Sequence, residues 1–242
     1  MSLPFAVVFD FDGVIADTEP LHMRAIQQVL GDAGLPMTRA DYYERYLGYD
    51  DAGVVAKVAE DQRVALSSTA QSELVARKAA LMPSLLAQPG IVFPGAAACV
   101  RRLAADVPLA IASGALRPEI ELVLAASGLR ACFQEIVAAG ETPRSKPAPD
   151  PYARAIALLQ ERGLVPRDNG ASAWSVAIED SHWGLVSARA AGLRAIAVTT
   201  SYEAAAFPEA DLVVSSLDEI DTARLAAVVA GAGRSGRRGP HA

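Results

Sequence analysis

The run Phe5-Ala6-Val7-Val8-Phe9-Asp10-Phe11-Asp12-Gly13 decides the fold. Its apolar part shows no polar alternation, which reads as a strand buried on both faces. It stops at two carboxylates one residue apart and then a glycine, a polar turn at a strand end. Similar runs follow at residues 107–112, 135–138, 175–178 and 194–199, and Asp211-Leu212-Val213-Val214 predicts a short edge strand. Helical periodicity fills the later gaps: Tyr152, Ile156 and Leu159 share one face, and Gly163 stops that helix. Strand, helix, strand in alternation means right-handed crossovers. The expected class is α/β, a doubly wound parallel sheet with a Rossmann-like core.

The alternation breaks after the first strand. Residues 18–88 carry only helix-like segments: Leu21, Ala25, Ile26, Val29 and Leu30 on one face, then stretches near 39–47, 51–61 and 69–82. About 70 residues of helix exceed any ordinary crossover. They predict an inserted all-helical cap domain over 18–88 whose linkers, near Asp17 and Pro89, lie close together. Residues 1–17 and 89–230 then form the α/β catalytic core. The Gly/Arg-rich end, 231–242, is expected to be a disordered tail.

Composition narrows the partners. The chain has 242 residues, a formal charge of −6 and 52% hydrophobic residues. Arg234, Arg237 and Arg238 lie in the tail, so the rest is more acidic still, and a nucleic-acid partner is not expected. Residues 79–100 hold no charge, but Pro83, Pro89, Gly90, Pro94 and Gly95 interrupt them, which excludes a membrane span. No basic segment precedes the first apolar run, so a secretory signal is not expected. Cys99 and Cys132 make no disulfide framework. A cytoplasmic protein, monomeric or weakly dimeric, is the expectation.

In an open parallel sheet, ligands bind beyond the carboxyl ends of the strands. The first strand ends in Asp10-Phe11-Asp12-Gly13, the second in Ser113-Gly114 and the fourth in Glu179-Asp180-Ser181. A loop after the third carries Lys146-Pro147. Four carboxylates, a hydroxyl and a lysine therefore converge on one rim. A hard divalent cation resolves the repulsion between the acids, and Mg²⁺ suits oxygen ligands. Each signal alone is a common turn or helix cap; four of them after predicted strands favour a site.

These residues resemble the four ordered motifs of the haloacid dehalogenase superfamily. The likeness is to its phosphatase and β-phosphoglucomutase-like branch with a helical cap, the group that includes phosphoglycolate phosphatase-like hydrolases. The resemblance implies Asp10 as nucleophile, forming an aspartyl-phosphate, and Asp12 as acid and then base. It implies Ser113, the Gly114 amide and Lys146 as phosphate-binding groups. It implies Mg²⁺ held by Asp10, Asp12 through its carbonyl, Glu179 and Asp180. The cap would close over a small phosphorylated metabolite, a sugar phosphate or a phosphoglycolate-like acid. Two positions depart from frequent family choices: Ser145 where many relatives have Gly, and Glu141 where Asp is frequent.

Asp12 argues for phosphoryl transfer over carbon–halogen cleavage, since dehalogenases of the superfamily lack it. A phospho-accepting signalling module would lack the insertion. The alternative within the branch is a β-phosphoglucomutase-type phosphomutase, whose relatives grip a second phosphate with basic residues on the first cap loop. Here that loop resembles Tyr46-Leu47-Gly48-Tyr49-Asp50-Asp51, without Lys or Arg, although Arg45 is adjacent. Hydrolysis is therefore expected. Lys78, central in an apolar stripe of Leu74, Val75, Leu81 and Met82, is either a snorkelling lysine or an ammonium that binds an anionic substrate group. His22 either faces solvent or, as in phosphomutase relatives, reaches the acid/base aspartate. Arg117 is read as covering a helix start rather than reaching a remote anionic substituent, Tyr42, Tyr43 and Tyr46 as cap packing, and Trp183 as helix packing.

Overall fold

The computed structural model describes residues 5–46, 49, 51–88, 90–167 and 174–231. The expected tail beyond Gly231, and Leu47, Gly48 and Asp50 of the first cap loop, lie outside them. The chain divides into two compact units, Met1–Asp17 with Pro89–Ala242, and Thr18–Gln88.

The larger unit is built on six strands: β1 Val7–Phe9, β2 Leu109–Ala112, β3 Glu135–Val137, β4 Val176–Glu179, β5 Arg194–Val198 and β6 Leu212–Val214. They lie in the order β3-β2-β1-β4-β5-β6, every pair parallel. The α/β class read from the unbroken apolar runs is what the chain adopts. Its helices are α5 Ala96–Ala104, α6 Arg117–Ala126, α7 Asp150–Glu161, α8 His182–Ala190 and α9 Thr222–Val229. They follow α1 to α4, which belong to the other unit. Residues of β1, β2 and β4 are buried regardless of parity, because helices cover both faces. On one face, Tyr152, Ala155, Ile156 and Leu159 of α7 pack on Ala6, Val8, Ala110, Ala112 and Ala177. Alanine at strand positions lets the helix sit close to the sheet.

The smaller unit holds α1 Glu19–Asp32, α2 Arg39–Asp41 continuing into a π-helical turn at Tyr42–Tyr46, α3 Asp51–Asp61 and α4 Ser68–Leu86. Its core gathers Ile26, Val29 and Leu30 of α1, Tyr42 and Tyr46 of the turn, Val54, Val55 and Val58 of α3, and Leu74 of α4. Thr38 starts α2 with a capping box, its side chain taking the Asp41 N–H while the Asp41 carboxylate takes the Thr38 N–H. Ser67 caps α4. That helix runs four residues beyond the expected 82, through Pro83. A proline removes one donor and clashes one turn back, yet here the helix continues and Ala87 N–H still closes on the Pro83 carbonyl. Within the larger unit the two connecting segments pair: Asp17 N–H donates to Ile91 O at 2.8 Å and Phe93 N–H to Ile15 O at 2.9 Å.

Candidate active site

The strand order places the site. The chain adds β2 and β3 to one side of β1, then returns to add β4 to the other, so the topological switch falls between β1 and β4. Phe9 is in register with Ile178, and Asp10 N–H donates to the Ile178 carbonyl at 2.9 Å. Asp10 therefore stands beside Glu179, the next residue of β4. On the other side Phe9 pairs with Ile111, and Ser113 follows β2, its N–H bonded to Val137 O at 2.9 Å. One oxygen each of Asp10, Glu179 and Asp180, all buried, lies within 4.8 Å of the others.

A single ammonium sits among these acids. Lys146 Nζ is 2.5 Å from Glu179 Oε1 and 2.9 Å from Asp10 Oδ1. Glu179, with no exposed surface, is held from every side. Its Oε1 also accepts the Tyr152 hydroxyl at 2.8 Å, and its Oε2 accepts the Asp180 N–H, the Ser181 N–H and the Ser181 hydroxyl. The Tyr152 ring lies under the ammonium, 5.1 Å from Nζ to its centre. Asp10 Oδ1 is different: it is buried, and the Lys146 ammonium is its one polar partner among the described residues. The Ser113 hydroxyl accepts from the Ala115 N–H at 3.0 Å.

Two glycines beside this cluster are required by close approach. Gly13 has φ +74°, and a Cβ there would lie 1.9 Å from Asp180 Oδ2. A Cβ on Gly184, in the first turn of α8, would lie 1.8 Å from the Glu179 carboxyl carbon. Sequence reading missed Gly184 and Tyr152. Tyr152 reads as part of an apolar helical face, and nothing in that periodicity marks its hydroxyl.

Within the smaller unit, Lys78 is buried, with 2% of its surface exposed. Its ammonium meets Asp51 Oδ2 at 2.9 Å and His22 Nδ1 at 2.7 Å, so it does not snorkel to solvent. An ammonium only donates, which makes Nδ1 the acceptor and puts the imidazole proton on Nε2. Burial, then the Lys78 charge, lowers the His22 pKa to about 4. Arg45 is taken up by Asp61 and Asp41 and stacks on Tyr46. Tyr42 and Tyr46 are buried in this unit's core, Tyr42 also donating to Glu19. Arg117 pairs with Glu141 in a two-pronged contact and donates to Ile136 O, while Glu141 accepts the Ala138 N–H. Trp183 corrects the packing expectation: it is 64% exposed, in edge contact with His182. The buried face of α8 is formed by Gly184, Leu185, Ser187 and Ala188, and Trp183 falls outside it.

With this arrangement in place, the relationships of the chain can be read. A family model for haloacid dehalogenase-like hydrolases matches residues 6–192. The chain belongs to that family. This hydrolase is 32% identical over 204 residues to the protein CbbY of Rhodobacter capsulatus, spanning 81% of this chain and 86% of the relative. It is 30% identical to the fructose-1-phosphate phosphatase YqaB of Escherichia coli, spanning 79% and 95%. Among solved structures, CbbY of Rhodobacter sphaeroides in complex with xylulose-1,5-bisphosphate matches with a TM-score of 0.73 and 29% identity, spanning 90% and 96%.

The donor set of this hydrolase fits a hard cation. Burial, then repulsion from Glu179, raises the Asp10 pKa well above the usual carboxylate range, against the pull of Lys146. The same two causes raise Asp180 to about 7. Burial works against the Lys146 charge, but Asp10 and Glu179 together hold its pKa above that of an ordinary lysine. One ammonium thus leaves acidic charge uncompensated, and the Asp10 and Asp180 carboxylates are where a cation would find ligands.

Both carboxyl shifts are upward. Without divalent cation, stability is expected to fall as pH rises from the ordinary carboxylate range toward about 7, where Asp180 ionises. His22 acts oppositely between about 4 and 6.5. Comparing melts with and without Mg²⁺ at each pH cancels that contribution. The Mg²⁺-induced rise in Tm is expected to be larger near pH ~7.5 than near pH ~5; equal rises would contradict the assignment. Gly184→Ala, which in an ordinary helix stabilises, is expected here to destabilise by about 1–3 kcal/mol in urea melts as it displaces Glu179.

Proposed function

We propose that the chain is a Mg²⁺-dependent phosphatase that hydrolyses a small phosphorylated metabolite through a phospho-Asp10 intermediate. A sugar or polyol phosphate is preferred to a phosphoglycolate-like acid. The observation that carries the reading is the state of Asp10: its Oδ1 meets the Lys146 ammonium at 2.9 Å and has no other polar partner among the described residues. A carboxylate so held is oriented, while its lone pairs stay available for attack.

Asp10 attacks phosphorus, and the bond to the substrate alcohol breaks as Asp12 gives that oxygen a proton. Asp12 then takes a proton from water, which attacks phospho-Asp10, releases inorganic phosphate and restores the Asp10 carboxylate. The Ser113 oxygen already accepts the Ala115 N–H, so its O–H is the part left to donate to a phosphoryl oxygen, with the Gly114 amide beside it. Lys146 offsets charge on both Asp10 and the phosphoryl group. Mg²⁺, held by Asp10, Asp180 and the Asp12 carbonyl with Glu179 beside them, would supply charge neutralisation at the phosphoryl oxygens. Glu179 has a second task, since its contacts with Lys146 and Tyr152 keep the ammonium in position.

The substrate preference is supported by relatives named as sugar and hexitol phosphatases, including hexitol phosphatase B of Escherichia coli at 30% identity over 227 residues. Lys78 and His22 are assigned to substrate binding because a buried ammonium meets an imidazole and the part-exposed Asp51 carboxylate beside an apolar helical core. Such burial is costly and is retained where it serves recognition. Among the described residues no helix is long and apolar enough to cross a membrane, and both cysteines are free. The reading is of a cytoplasmic enzyme acting on a diffusible substrate, monomeric or weakly dimeric, with neither nucleic acid nor membrane as partner.

Asp10→Asn is expected to lower phosphate release at least about 10³-fold while the chain still unfolds in one cooperative transition; substantial residual turnover would end the covalent route. In the same assay, isomerisation of a hexose phosphate dependent on an added bisphosphate, with little phosphate released, would favour the β-phosphoglucomutase-type alternative. Lys78→Met is expected to raise KM about tenfold, the effect of losing one charged hydrogen bond, and an unchanged KM would remove Lys78 from the substrate site.

A further inference from the structure

We infer that Thr200 and Ser201, two hydroxyls outside all four motifs, form a strut that holds the Asp180 carboxylate against the nucleophile turn, and that Ser201 is a positioning residue for cation binding. The inference rests on the cation reading above. Ser201 Oγ donates to Asp180 Oδ2, and the neighbouring Thr200 Oγ1 donates to the carbonyl of Gly13. Gly13 is also where Asp180 packs, its Oδ2 occupying the space a side chain would take. The four residues close a loop: Thr200 fixes Gly13, Gly13 leaves room for Asp180, Asp180 accepts from Ser201, and Ser201 adjoins Thr200.

The segment that carries the strut is anchored at both ends. Thr199 N–H donates to Val214 O at 3.0 Å, and Phe207 is buried against Leu185, Ala195 and Ala197. Between these anchors, residues 199–204 line an open cleft of about 430 Å³, and Thr200 and Ser201 are themselves exposed. Packing therefore does not force these two contacts. The Asp180 carboxylate is buried beside Asp10 and Glu179, which repel it. The Ser201 hydroxyl, donating to Oδ2, opposes rotation of the carboxylate away from them. Outer groups of this kind set the orientation of a metal-binding carboxylate, and their loss typically weakens metal affinity by about 10–100-fold.

The test is Mn²⁺ affinity of the full chain, read from the electron paramagnetic resonance signal of free Mn²⁺, with Mg²⁺ as competitor. Ser201→Ala is expected to raise Kd about tenfold or more. Ser201→Thr, which keeps the hydroxyl, is expected to stay within about twofold of the unaltered chain. Metal-free melting curves of both are expected to match the unaltered protein, because the position is exposed; Ser201→Gly serves as a second deletion of the hydroxyl. A Ser201→Ala Kd within about twofold of the unaltered chain overturns the strut. Absence of saturable Mn²⁺ binding to the unaltered chain overturns the cation reading itself, and the strut with it.

Discussion

The Lys146 ammonium lies 2.5 Å from Glu179 and 2.9 Å from Asp10, with little of any of the three side chains open to water. Withdrawing charges from water costs several kcal/mol per ion, and mutual attraction repays this only where geometry and additional hydrogen bonds are good. Glu179 meets that condition with both oxygens fully engaged, four contacts joining that of the ammonium. Asp10 does not, and the contrast separates their tasks. The saturated carboxylate fixes the cation of Lys146; the undersaturated one keeps its electrons for chemistry.

Much of the surrounding structure follows from that division. The parallel register of β1 and β4 puts the two acids side by side, and no different pairing of these strands would do so. The first turn of α8 approaches so closely that residue 184 has no room for a side chain, which brings the Ser181 N–H and hydroxyl onto Glu179. From below, α7 supplies a tyrosine whose ring faces the ammonium and whose hydroxyl reaches the carboxylate. These groups are fixed before any substrate arrives, the condition under which dipoles and charges act without reorganising.

The strands and their terminal acids were legible because strands buried on both faces demand unbroken apolar runs, and a carboxylate closing such a run stands out. Residues 5–9, 107–112 and 175–178 each fall on a strand to within two residues at either end. Tyr152 was legible only as a packing residue, since helical spacing carries no information about a hydroxyl's partner. Thr200 and Ser201 left no signal: the contact of Thr200 with Gly13 joins positions 187 apart, and hydroxyls in a polar loop are ordinary. Lys78 showed as an anomaly in an apolar stripe, but its partners Asp51 and His22 come from other helices and required coordinates. Trp183 misled because a tryptophan suggests packing, whereas the helical rotation of α8 turns it outward.

The sheet order also governs how the molecule is made. β1 is flanked by β2 and β4, whose residues follow roughly a hundred and roughly a hundred and seventy positions later. A separate helical bundle is synthesised in full before either neighbour exists. Contacts so distant in sequence form slowly, since closing long loops costs entropy before any pairing rewards it. The apolar Val-Val-Phe segment therefore waits about a hundred residues for its first neighbour and about seventy more for its second, and a truncated chain that ends before β4 holds no part of the carboxylate cluster except Asp10.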